Sequence, residues 1–195
     1  RLSLDMMLKL ESFIKEHQKP LAVRSSSLLE DSQYQPLSGT YSTFMLPNNQ
    51  NKIRHRLLDL EKAIKKVYAS TFKRDAKALL NNTSHRIEEE KMAVIIMEIA
   101  GQKYKSNRFY PTISGVLKNI NYYPVSYMKR KEGVAYLALG FGRTIVDGEK
   151  SLRISPKYPN ILPQFYSTKT LIENSQNQFY ALDLKENDIS DSKSD

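Results

Sequence analysis

LAVRSSSLLEDSQYQPLSGTYSTF, Leu21 to Phe44, starts as a buried strand and then changes character. Leu21, Ala22 and Val23 are apolar, but Arg24 and three serines (Ser25, Ser26, Ser27) follow directly. An acidic pair, Glu30 and Asp31, comes next, and the stretch turns at Ser38-Gly39-Thr40 before a second strand pattern, Tyr41–Leu46. An arginine at a strand end offers a planar fork of donors that phosphate oxygens accept two at a time. The serines add short neutral donors. A glycine lets the chain turn tightly and bring backbone N–H groups close to an anion. These features suit a phosphate cradle. They suit equally an Arg24 paired with Glu30 or Asp31, with serines that merely cap a helix.

The flanking sequence reads as α+β. Residues 4–17 place Leu4, Met7, Leu8, Leu10, Phe13 and Ile14 at three-to-four spacing, an amphipathic helix with Ser3 at its N-cap. Lys19-Pro20 ends it, because the residue before a proline avoids the α region. Residues 51–68 form a second helix with Ile53, Leu57, Leu60, Ile64, Val67 and Tyr68 on one face, and a third covers about Arg74–Leu80. Lys91–Ala100 is a short apolar run rich in β-branched residues, which predicts a strand covered on both faces. Ile113–Leu117, Val134–Leu139 and Ser151–Ser155 read as further strands, with turns at Phe141-Gly142 and Asp147-Gly148. Strands gather in the second half instead of alternating with helices, so sheets with flanking helices are expected. Residues 185–195 read as a polar, disordered tail, and Asp183, Glu186 and Asp188 as solvated carboxylates of that end.

Composition narrows the function. The chain has 195 residues, 40% hydrophobic and 26% charged, enough for one good-sized domain or two small lobes. No apolar run approaches the roughly 20 residues that span a bilayer. The absence of cysteine excludes disulfides and thiolate metal sites within the chain and fits a cytoplasmic setting. His17, His55 and His85 lack metal-ligand spacing and read as solvated surface residues. The net charge of +9 is concentrated in residues 51–150, with 20 basic against 10 acidic side chains. Nucleic acid, a polyanionic nucleotide or a solvated basic helix face would each account for it. No nucleic-acid-binding signature accompanies the charge, and neither a P-loop nor a Rossmann fingerprint occurs.

Val23-Arg24-Ser25-Ser26, then Glu30-Asp31, Ser38-Gly39 and Thr43 resemble, in order and spacing, the nucleotide-binding domain of phosphoenolpyruvate synthase and pyruvate phosphate dikinase. In that family the stretch reads roughly VRSS-A-x-x-ED…SFAG-Q-x-x-T. Ala63–Phe72, Lys91–Ile99, Ile113–Val116, Gly133–Glu149 and Leu152–Pro159 resemble later segments of it, so the likeness runs from about Leu21 to Leu184.

The resemblance implies an ATP-grasp fold, two α+β lobes that clamp ATP between sheets, occupying residues 1–184 here. It implies that Arg24 binds ATP phosphates and stabilises charge on the moving phosphoryl group, helped by Ser25 and Ser26. Gly39 and Thr40 would form the loop over the triphosphate, with Thr43 beside it, and backbone groups around Met97, Glu98 and Ile99 would receive adenine. The implied partners are ATP with Mg²⁺, and phosphohistidine and pyruvate or phosphoenolpyruvate domains of a longer protein; nucleic acid and membrane are not among them. Four departures stand out. Met97 occupies a position where the family commonly has Gln, and the N-terminal helix shows no counterpart of the family's early phosphate-binding lysine. The usual Mg²⁺ ligands and the phosphoacceptor histidine find no match in the chain. It is therefore expected to be a piece of a larger phosphotransferase, inactive by itself; the alternative is a degenerate domain that binds nucleotide or scaffolds its neighbours without catalysis.

Overall fold

The computed structural model describes residues 2–27, 40–81, 90–125 and 127–185. Two compact units divide it, one of residues 1–99 with 184–195 and the other of residues 100–183.

The first unit is built on a three-stranded antiparallel sheet. Strand β1 (Leu21–Ser27) is central, between β2 (Thr43–Leu46) and β3 (Met92–Glu98). Helices α1 (Leu4–Glu16) and α2 (Ile53–Ser70) are followed by the short α3 (Arg74–Asn81). Ser3 caps α1 as expected, its Oγ accepting from Met6 N–H at 3.3 Å. Leu10 and Ile14 of α1 and Leu60, Ala63, Ile64 and Val67 of α2 are buried against Leu21, Val23, Phe44 and Leu46 of the sheet. Burying side chains of this size contributes about 1.5–3 kcal/mol each.

Strand β3 is not covered on both faces. Met92, Val94 and Ile96 pack against the core, while Ala93, Ile95 and Met97 are exposed. The cause is the architecture: the helices cover one face of the sheet, so alternate residues of even a wholly apolar strand turn the other way.

A polar clamp fixes the chain between α1 and α2. Asn48 sits at φ 52°, a left-handed conformation that Asn tolerates. Its Nδ2 donates to the carbonyls of His17 (2.9 Å) and Lys19 (2.8 Å). Arg56 donates from Nε to Asn48 Oδ1 (2.8 Å) and from Nη2 to the carbonyls of Ile14 (2.8 Å) and His17 (2.7 Å). One of the orphan carbonyls that a helix leaves at its C-terminus, that of Ile14, is thereby satisfied, together with the carbonyl of the C-cap residue His17.

The second unit holds two small antiparallel sheets. One runs β6 (Ser114–Lys118), β7 (Val134–Ala138), β8 (Leu152–Ile154), close to the segments expected. Gly115 sits closely against β7 there: a Cβ would lie 2.7 Å from Leu137 Cδ2, which could swing aside, and 3.1 Å from Tyr136 O. The other sheet joins β4 (Gln102–Lys103), β5 (Arg108–Tyr110) and β9 (Leu182–Asp183). Two short helices complete the unit, α4 (Arg143–Val146) and α5 (Thr168–Asn174), the latter with Ser167 and Thr170 in a capping box. Asp183 is therefore not a solvated tail residue: it lies in β9 and pairs with Arg108. Glu186, Asp188 and the rest of the polar end fall outside the described residues.

Candidate functional site

The antiparallel register sorts the side chains of the first sheet into rows. Thr43, Arg24 and Ile95 stand side by side across β2, β1 and β3 on the face away from the helices. The next row, two residues along at about 6.5–7 Å, is Met45, Ala22 and Met97, and on the other side Ser26 stands beside Ala93. One open face thus grades from hydroxyls and a cation to an apolar row with two thioethers. Arg24 is exposed, and among the described residues it has no hydrogen-bond or ion-pair partner. Directly opposed side chains lie about 4.5–5.5 Å apart at Cβ, so the Thr43 hydroxyl and the Arg24 guanidinium can serve one ligand. An exposed cation beside a hydroxyl, flanked by apolar surface, can take a phosphorylated molecule with a flat apolar end.

The expected site residues do not all meet there. Arg24, Ser26, Thr43 and Met97 share the open face. Ser25 turns the opposite way and is only 3% exposed, because neighbouring strand residues alternate. Thr40 lies just before the strand, whereas Gly39, with Ser38, Glu30 and Asp31, falls outside the described residues.

Glu98 pairs with Leu21 on the helix-covered side. Its carboxylate accepts from His17 Nδ1 at 2.9 Å and lies 3.6 Å from Lys19 Nζ. The hydrogen bond from His17 chiefly, with the charge of Lys19 behind it, holds the Glu98 carboxyl below its ordinary value. His17 is thus more than a solvated histidine: it also stacks on Phe13, with ring centroids 4.3 Å apart. Ile99 is buried, and its N–H is spent on the carbonyl of Pro20 at 2.8 Å.

Sequence reasoning missed Met45 and Ile95 as members of this face. The signal was present: the period of two in Thr43–Leu46, counted from Thr43, assigns Met45 to the same side as Thr43. Among the described residues no three His, Cys, Asp or Glu side chains gather to hold a metal, and no helix is long and apolar enough to cross a membrane.

No curated protein matches the chain. The family model for the pyruvate phosphate dikinase AMP/ATP-binding domain matches residues 2–189, both units included. With its mixed α+β architecture of small antiparallel sheets, the chain belongs to the family of pyruvate phosphate dikinase AMP/ATP-binding domains.

Proposed function

We propose that the chain binds ATP on the open face of the first sheet, as the nucleotide-binding part of a phosphoenolpyruvate synthase- or pyruvate phosphate dikinase-like phosphotransferase. In this reading a phosphoryl group passes from ATP to a histidine on a separate domain of a longer cytoplasmic protein, which then serves pyruvate or phosphoenolpyruvate. The observation that carries the proposal is Arg24: an exposed guanidinium beside the Thr43 hydroxyl, with no partner among the described residues.

Arg24 would hold phosphate oxygens through its fork and offset the negative charge that spreads over them as the phosphoryl group leaves. Thr43 and Ser26 would donate from either side along the sheet, and Thr40 with Gly39 would close over the triphosphate. Ser25, buried on the other face, would support β1 without touching the ligand. The base would lie on the apolar row of Met45, Ala22 and Met97. Backbone contacts would come from the outer edge of β3. The Ile99 N–H points to the β1 side, and alternation in an antiparallel ladder then turns the peptide groups of Glu98 outward.

Mg²⁺ belongs to the family's chemistry, but the described residues form no cage for it, and no step here depends on one. A second reading, a domain that binds nucleotide without catalysis, draws support from Met97, whose side chain gives the base no hydrogen bond.

Calorimetric titration of ATP·Mg²⁺ into the chain and into Arg24→Ala tests the proposal. Loss of about 1.5–3 kcal/mol in the variant is expected for a charge-assisted phosphate contact. Equal affinities would remove Arg24 from the site. ATP binding by the full-length protein without phosphorylation of any histidine would favour the second reading.

A further inference from the structure

A closed ring of hydrogen bonds surrounds the start of β2. The backbone N–H of Lys73 donates to the Ser70 carbonyl (3.1 Å), the backbone N–H of Ser42 donates to Ser70 Oγ (3.2 Å), and the Lys73 ammonium donates to Ser42 Oγ (2.8 Å). Ser70 completes its own valence by donating to the Val67 carbonyl at 2.6 Å. Ser42 and Ser70 are 1% and 0% exposed. Burying two hydroxyls is costly unless each finds a partner, and a fully connected network then favours one geometry over its alternatives. Ending α2 does not require this arrangement. Its last turn is already closed by the N–H groups of Thr71, Phe72 and Lys73.

What the ring does fix is the backbone on the residue before Thr43. Ser42 faces inward and Thr43, next in sequence and first in β2, stands on the open face opposite Arg24. The ring also anchors the segment running back to Thr40. We propose that Lys73 is a positioning residue of the nucleotide site: tied to the C-terminal end of α2, its ammonium locks Ser42 so that Thr43 and Thr40 meet the triphosphate. Lys73 does this without touching the ligand. The inference rests on the reading of the open face as an ATP site.

The test compares Lys73→Met, Lys73→Arg, Ser42→Ala and Arg24→Ala with wild type, in the full chain. Three quantities are followed: thermal unfolding, amide hydrogen exchange over residues 41–46, and affinity for ATP·Mg²⁺. Lys73→Met should exchange about tenfold faster over 41–46 and bind ATP about five- to tenfold more weakly, as expected for loss of one charge-assisted bond that orders the site. Lys73→Arg, which keeps the charge, should recover part of both. Arg24→Ala should weaken ATP binding with exchange over 41–46 unchanged. Should Lys73→Met fail to fold, Ser42→Ala breaks the same bond while leaving the lysine in place. Faster exchange in both ring variants with ATP affinity within about twofold of wild type would show that the ring only joins helix to strand. That result overturns the inference and leaves the nucleotide reading standing. Wild type that does not bind ATP, or binds it no better than Arg24→Ala, overturns the reading itself and the inference with it.

Discussion

Val23 and Arg24 are neighbours in β1, yet they serve opposite faces of one sheet. Val23 lies with Leu21, Phe44, Leu46, Val94 and Ile96 under the two long helices. Arg24 lies with Thr43, Ile95, Met45 and Met97 on a face the helices leave open. The two faces use the same backbone and differ in what each asks of its side chains. On the covered face, shape and apolar area determine whether the unit folds. On the open face Ile95 and Met97 remain 38% and 44% exposed, so folding depends little on them and they are available to a ligand. Stability and binding should therefore separate cleanly by strand parity.

The largest expected effect comes from the covered face. Leu60→Ala removes a side chain that is 0% exposed and should cost about 2–5 kcal/mol of stability in chemical denaturation. At temperatures where the variant stays folded, its ATP affinity should match wild type. A large affinity loss in the folded variant would break the separation.

Thr43→Val probes the open face with a smaller change. Affinity for ATP should fall by about 0.5–1.5 kcal/mol, the net worth of a neutral hydrogen bond, with the denaturation midpoint nearly unchanged because valine suits a strand. A stability loss larger than the affinity loss would mean that the hydroxyl belongs to the scaffold.

The smallest effect is expected where the two faces end together, at Glu98. Its carboxyl is held below its ordinary value in the folded chain, chiefly by the hydrogen bond from His17, so its contribution is present above the unfolded-state value and fades as pH falls through the folded one. Wild type should be more stable than Glu98→Gln at pH 7, and the two should converge only once pH has fallen through the lowered folded-state value of the carboxyl. A gap that persists in acid would trace to packing and not to the carboxylate.

Local signals carried much of this arrangement. The three-to-four spacing of Leu10, Ile14, Leu60, Ile64 and Val67 identified the helix faces that form the core, and Ser3 marked a helix start that the structure confirms. What stayed hidden depends on residues far apart in the chain. Nothing near Arg108 announces that it will pair with Asp183, and β4, β5 and β9 are too short for a period to show. The apolar run Lys91–Ala100 reads as doubly covered because composition reports that a strand can be buried, not how many layers its neighbours supply.

The candidate site was legible in the same uneven way. Arg24 stands out by residue type, and Thr43 only through the family resemblance. Ser25 was grouped with them although simple alternation turns it inward, and Lys73 reaches Ser42 across 31 residues, a distance at which no sequence pattern points.

The clamp of Asn48 and Arg56 has a consequence for how this region can change over generations. Asn48 meets two demands at once, a left-handed backbone and a side chain that both donates and accepts. Glycine would meet the first demand only. Aspartate tolerates the backbone but brings no N–H to the His17 and Lys19 carbonyls. Lysine at position 56 would lack the planar fork that reaches Asn48 and the end of α1 together. Both residues grip backbone carbonyls of the helix end, so the joint constrains positions 48 and 56 and leaves the side chains at the end of α1 free to vary. A chimera that imports a foreign N-terminal helix ending at the same point can therefore keep Asn48 and Arg56 as they are.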